Sequence, residues 1–381
     1  MIITNGKGFQ ILIYVFLYII LIFSVISIYF IISKSISKKM GLFFVYLFCV
    51  IYGGIRYCVG SDYENYLIYY KYIMYSNYSF LEVLNKTKEI GFNALLFWTA
   101  KITNFDYGIF WTTSIIIYFL VINAIKKYSS NITFSLFLFF ALGYHLFSLN
   151  GLRQTIALFL FIHFVYRYIK GKYISAMVIA LLMCSFHSTA IIILIIFVVF
   201  NILKIKFNKK NYFSTIVFSI ALFIIYPYIG QIVSSLLVKF FDFTKYADYF
   251  SDLQTNQQSK YMTFAIISIG IMYISITGLM LLFKKDLIKS NPILERILPL
   301  LLIGFPFVLI GARNWPVVRM AFYFFQFTIF TLSSFMEVMR KRYNGKRYLI
   351  FIVFGIIIYC CIYIICYQDN WYFQYSTYFG K

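Results

Sequence analysis

Twenty-one of the 34 Lys and Arg residues sit in six short segments that alternate with near-continuous apolar runs. These segments are Lys34 to Lys39, Lys126 with Lys127, Arg167 to Lys172, Lys204 to Lys210, Lys284 to Arg296 and Arg340 to Arg347. Loops on the cytoplasmic side of a membrane carry an excess of Lys and Arg, so placing all six on that side fixes a topology. Of the 12 acids only Asp286, Glu295 and Glu337 lie in or beside them. A formal net charge of +22 first suggests nucleic acid, but cations that abut apolar spans suit anionic lipid headgroups. The expected partner surface is the lipid bilayer, with no nucleic acid. Composition agrees, because 62% hydrophobic residues exceed what the single core of a soluble 381-residue chain can hide.

A hydrocarbon core of roughly 30 Å takes about 20 helical residues. Runs of that order lie near 9–32, 107–125, 131–149, 212–236, 261–283, 317–339 and 349–367. Shorter runs at 41–55, 152–168, 173–186, 188–203 and 297–312 bring the expected total to twelve spans with both termini outside. The runs are continuous rather than alternating, which excludes membrane strands. The expected fold is therefore all-α: one polytopic membrane domain over 1–381, with its longest outer loops at 56–89 and 238–260. The first span has no small-x-small cleavage pattern and reads as a retained helix. Segment 90–105 would invert every later loop if it crossed, and Lys101 lies within it, so it reads as a re-entrant or interfacial helix. The six cysteines show neither a disulfide framework nor metal spacing.

Polar groups held against a membrane without topological need mark function, and on this map they collect on the outer face. Arg56, Asp62, Glu64 and Tyr66 open the first outer loop, in the stretch Gly53 to Tyr66. Arg153 and Gln154 stand where an inward-running helix begins, so the helix dipole and free N–H groups would reinforce an anion held by Arg153. His187 interrupts an apolar stretch within Cys184 to Thr189 and can act as acid, base or donor near neutral pH. His163 has no polar neighbour in sequence, and His145 is marginal. Arg313 and Arg319 flank Pro316, which is placed to start a helix, and Tyr323 shares the Arg319 face four residues on. Aromatic residues through 238–260 suit an interfacial segment or stacking on sugar rings. Against each of these stands a plainer role: headgroup contact for the arginines, a hinge for His187, a solvated loop for the acids.

The order Arg56 to Asp62 to Tyr66, then Arg153-Gln154, then Phe186-His187-Ser188 resembles the EpsG group of Wzy-type polysaccharide polymerases. The resemblance runs over most of the chain. It implies a glycosyltransferase of the bacterial cytoplasmic membrane that joins oligosaccharide repeat units carried on undecaprenyl pyrophosphate, in exopolysaccharide, capsule or O-antigen synthesis. It also implies a flippase and chain-length or export proteins as partners. One departure is clear: many Wzy-type proteins place Gly eleven positions after an outer-loop Arg. Here Arg56, Arg153, Arg313 and Arg319 meet Leu67, Phe164, Phe324 and Phe330.

On this reading Arg153 and Arg319, with Arg56 and Arg313, stabilise the departing pyrophosphate. Asp62 or His187 orients or deprotonates the acceptor hydroxyl, with Glu64 in reserve. Pyrophosphate leaves readily, so neither metal nor cofactor is expected. Two alternatives stand beside it: a membrane glycosyltransferase adding one sugar from a polyprenyl-phosphate donor, and a flippase or transporter for the same lipid-linked unit.

Overall fold

The computed structural model describes residues 5–241, 260–342, 352–353, 355–362 and 375–380. Among these the chain is helical apart from turns and one antiparallel pair of two-residue strands, β1 (Arg56–Tyr57) and β2 (Ser376–Thr377). Lipid supplies no hydrogen bonds, so apolar runs this long satisfy their backbone groups internally by coiling. Side chains close several ends: Ser37 caps α2 (Lys38–Gly54), Asn131 caps α7 (Ile132–Ala141), and Ser79 with Glu82 forms a reciprocal capping box on α4 (Phe80–Leu84).

The chain divides into two compact units, 1–195 with 368–381, and 196–367. In the first, α1 (Asn5–Ser35) packs on α2, and α2 on α6 (Gly108–Tyr128). The short helix α3 (Tyr63–Tyr75) and α4 pack against α5 (Ile90–Thr103). Helix α8 (Tyr144–Asn150) leads into α9 (Leu152–Ile169), which pairs with α10 (Tyr173–Phe186) across the short turn at Gly171. Helix α9 is the centre of this unit, and from Gly151 to Tyr166 only Arg153 is not buried. In the second unit, Leu300–Gly311 packs against α12 (Lys209–Phe241), Lys260–Leu282 and Trp315–Phe325. The unit boundary falls inside α11 (Ala190–Ile202).

Large apolar side chains such as Phe16, Phe23, Ile174, Leu181, Val198 and Phe264 lie exposed on helix faces, a surface suited to lipid rather than water. This is a membrane protein. Among the described residues, five helices are long and apolar enough to cross a bilayer, or six if α7 and α8, bent by 56° at Gly143, form one broken span. Charge parity leads to twelve. The difference arises because several expected spans are short helices: α10 has 14 residues and α11 has 13, against the roughly 20 that a full crossing takes. Segment 90–105 is helical as expected, and Pro316 sits in the first turn of its helix. The aromatic loop 238–260 and the basic segment 340–347 lie largely outside the described residues, as do both ends of the expected span 349–367, which is helical at 352–353 and 355–362.

Candidate functional site

Two glycines bring the site together. Gly60 adopts φ +97° against Asn150, and a Cβ there would stand 2.9 Å from Asn150 Oδ1. The same oxygen accepts from the Asp62 N–H at 2.7 Å and from Ser61 Oγ at 3.4 Å. Asn150 closes α8 two residues before α9 begins, so this clamp holds the start of α3 over the N-terminus of α9. Gly91 lies in the first turn of α5, where a Cβ would meet Ser185 Oγ at 2.3 Å and the Ser185 backbone carbon at 3.1 Å. No larger residue fits without parting α5 from the end of α10, so Gly91 sets Glu89 beside His187.

What assembles is a four-residue cluster at the ends of four helices. Glu89 occupies the N-cap position of α5 and is 6% exposed. Its Oε2 pairs with Arg153 Nη1, and its Oε1 accepts from His187 Nδ1 at 2.9 Å and from the Ser188 N–H at 3.3 Å. Arg153 Nε reaches Tyr66 Oη at 3.5 Å, and its guanidinium lies 5.6 Å from the ring centres of Tyr66 and Phe92. The loop before Glu89 is tied down by Asn93, whose Nδ2 donates to Thr87 Oγ1 at 3.0 Å and whose Oδ1 accepts from Tyr69 Oη at 3.3 Å.

Burial opposes ionisation of Glu89, but the His187 hydrogen bond and the Arg153 charge outweigh it and pull the carboxyl from 4.5 down to about 2. Glu89 is therefore a fixed anion near neutral pH. Burial, only partly offset by Arg153, pushes the Tyr66 phenol up, so Tyr66 stays protonated as a donor. In neutral His187, donation from Nδ1 to Glu89 puts the basic lone pair on Nε2, the carboxylate-imidazole relation that orients a general base. Exposure sorts the roles: the Arg153 side chain is 32% exposed, that of Glu89 only 7%. The cluster thus sets a part-exposed cation over a buried carboxylate, with the His187 ring, 12% exposed, beside it.

Three residues expected from sequence, Tyr66, Arg153 and His187, meet here, and Gln154 lies buried beside Arg153 in α9. Asp62 is half-buried at the N-cap of α3, close enough for its charge to act on Tyr66, while Glu64 is exposed on the helix that follows. Arg56 is buried at β1. In the second unit Arg313 is exposed with its guanidinium 4.3 Å from the Phe223 ring, Arg319 is half-buried, and Tyr323 is buried on the same helix. His163 does have polar company, contrary to expectation: Tyr128 Oη lies 3.1 Å from Nδ1 and the Leu120 carbonyl 3.3 Å from Nε2, both from α6, which sequence spacing does not place beside α9. Sequence reasoning missed Glu89. Its signal was a carboxylate directly before an apolar helix whose second residue is Gly91, hidden in the charged stretch Lys86 to Glu89. No group of three or more metal-ligating side chains occurs among the described residues.

A family model described as the EpsG family matches residues 38–379. The chain belongs to that family, whose role in polysaccharide biosynthesis is of the polymerase type. No curated protein and no solved structure matches the chain.

Proposed function

We propose that this EpsG-family chain polymerises lipid-linked oligosaccharide repeat units, and that the Glu89, Arg153, His187 and Tyr66 cluster is where the glycosidic bond forms. The substrate class is an oligosaccharide on undecaprenyl pyrophosphate, at the outer face of the bacterial cytoplasmic membrane. Sidedness is argued from one hairpin. The α9 helix carries Arg153 at its start and leads at its other end to Arg167, Lys170 and Lys172, about 27 Å away at 1.5 Å per residue over 18 residues. If the basic end is cytoplasmic, the cluster is outside. Twelve spans with both termini outside complete this topology.

The chemistry follows from the arrangement. A sugar hydroxyl of the incoming unit attacks the anomeric carbon of the growing chain. The bond from that carbon to the pyrophosphate oxygen breaks, and the electron pair leaves with the lipid pyrophosphate. His187 Nε2 takes the hydroxyl proton while Glu89 stabilises the resulting imidazolium. Arg153 meets the charge building on the leaving group, with Tyr66 Oη as a neutral donor beside it. Asp62 orients the acceptor from the edge of the site and Gln154 contributes to substrate binding beside Arg153; within the second unit, Arg313, Arg319 and Tyr323 are the candidates for substrate contact. The observation that carries this reading is the buried Glu89 holding a phosphate-binding cation and a general base at once. The test is the lipid-linked and surface glycan ladder of cells lacking this protein, complemented with wild type or Arg153→Ala. Wild type restores the ladder, and Arg153→Ala leaves single repeat units although the protein reaches the membrane. A normal ladder from Arg153→Ala removes the phosphate role.

A further inference from the structure

Arg56, unlike the part-exposed Arg153, is a buried arginine of the first unit, and its surroundings differ as well. It is 1% exposed. Its Nη1 donates to the Gly53 carbonyl, and its guanidinium lies 4.6 Å from the Phe110 ring centre. The Nε and Nη2 atoms are buried and make no hydrogen bond. No ion pair among the described residues involves Arg56, and the groups within electrostatic reach include Tyr52, Tyr63, Tyr66, Tyr118, Tyr375 and His145. An isolated buried cation is costly, and one cation-π contact worth about 2 kcal/mol recovers only part of that cost. A guanidinium with two unmet N–H directions and no carboxylate is complementary to an anion with several oxygens.

Residues 375–380 lie along β1, the strand that carries this arginine. Strand β2 pairs with β1, setting Thr377 opposite Arg56 and Ser376 opposite Tyr57. Tyr375 stacks on Tyr52 at 4.2 Å, and its hydroxyl donates to the Tyr52 carbonyl at 2.5 Å. Tyr378 stacks on Tyr107 at 4.6 Å, accepts from Trp111 Nε1 at 3.1 Å, and donates its N–H to the Ile55 carbonyl at 3.3 Å. Two-residue pairing and two ring stacks form a small, local contact, the kind that opens without unfolding the unit.

We propose that Arg56 is a second anion subsite, for a pyrophosphoryl group, and that the strap Tyr375–Gly380 covers it and peels back to admit that group. The choice of pyrophosphate rests on the polymerase reading; the strap and the unmatched guanidinium do not. A reaction that joins one lipid-linked unit to another has two pyrophosphates to hold at once. Arg153 meets the one that leaves, and Arg56 holds the other.

The strap is tested by locking it. In a Cys58→Ser background, Tyr57→Cys with Ser376→Cys places two thiols at paired Cα positions. The purified full chain in nanodiscs is then titrated with radiolabelled inorganic pyrophosphate and, separately, with farnesyl pyrophosphate, oxidised and reduced. The reduced protein is expected to bind one more equivalent than the oxidised protein, and Arg56→Gln in the reduced background to fall to the oxidised level. Tighter farnesyl pyrophosphate makes the ligand lipid-borne; tighter inorganic pyrophosphate makes it a free product. Equal binding by oxidised and reduced protein overturns the proposal, as does unchanged binding in Arg56→Gln. Where Arg56→Gln does not accumulate, the comparison of one molecule locked and unlocked decides alone. A normal glycan ladder from Arg153→Ala removes the polymerase site but leaves this binding result standing.

Discussion

Replacing Glu89 by Gln removes one charge and keeps the shape. The depression of its carboxyl from 4.5 to about 2 corresponds to roughly 3 kcal/mol, at about 1.4 kcal/mol per tenfold. Breaking a buried pair by removing one partner costs about 3–5 kcal/mol by an independent route. Water reaching the 32%-exposed Arg153 side chain screens part of this, which leaves about 2–3 kcal/mol, or a factor of about 30–150 in how often the cluster holds its arrangement. A Gln can accept from Arg153 or from His187, but it cannot stabilise an imidazolium. The measurement is the polymer formed per membrane-embedded protein, read from the glycan ladder with the protein level blotted in parallel. Glu89→Gln should cut it about 30–150-fold with the protein level unchanged. The double variant Glu89→Gln with His187→Gln should lose little more than either single one, because the two act as a unit. A ladder of wild-type length from Glu89→Gln, or losses that multiply in the double variant, would refute the idea that Glu89 organises the site.

Arg153→Lys keeps the charge but gives up the planar fork, so one ammonium must choose between Glu89 and phosphate; polymer yield should fall at least tenfold in the same assay. Gly91→Ala should separate α5 from α10 and cost about 1–3 kcal/mol, seen as a lower melting temperature together with loss of polymer, with partial recovery when combined with Ser185→Gly. The pH dependence has a definite sign. Because Glu89 is depressed in the folded protein, its contribution is complete above the ordinary value of 4.5 and is lost as pH falls from there toward 2. Thermal stability of wild type should therefore drop below pH 4.5 more steeply than that of Glu89→Gln, and parallel curves would contradict the pairing.

The helical class and membrane setting were legible because both rest on composition and charge order, which are properties of the linear chain. Arg153 and His187 were legible for a related reason: a charged or titratable residue inside an apolar run is conspicuous before any fold is known. Glu89 was not conspicuous. Lys86 and Lys88 beside it make the segment look solvated, and only the approach of α5 to Ser185 shows that the carboxylate is buried. Asp62 drew notice as a membrane-edge acid, yet the contact that places it is made by its backbone N–H on Asn150, something no side-chain pattern reveals. His163 went the other way, since its partners Tyr128 and Leu120 lie on a helix distant in sequence. Helix breaks were illegible too: at Gly143 a positive φ of 83° bends one apolar run into two helices, and apolar composition carries no trace of that.

Arg56 and Arg153 together show what a carboxylate changes. Arg153 has Glu89 beneath it, so its charge is balanced at rest and its exposed edge can exchange ligands without the site losing its structure. Arg56 has aromatic rings and a backbone carbonyl in place of a carboxylate, and it is covered by a strap instead of open. A balanced cation suits a group that must arrive, react and leave within each cycle. An unbalanced one binds an anion more tightly, because the anion supplies the whole of the missing counter-charge. On this argument the Arg153 position handles the pyrophosphate that is released, and the Arg56 position holds that of the incoming unit, which stays on the product until it is released in turn at the next addition. Weakening the strap by Tyr378→Ala should then shorten the polymer while leaving the initial rate of unit joining intact, whereas Arg153→Lys should lower that rate directly.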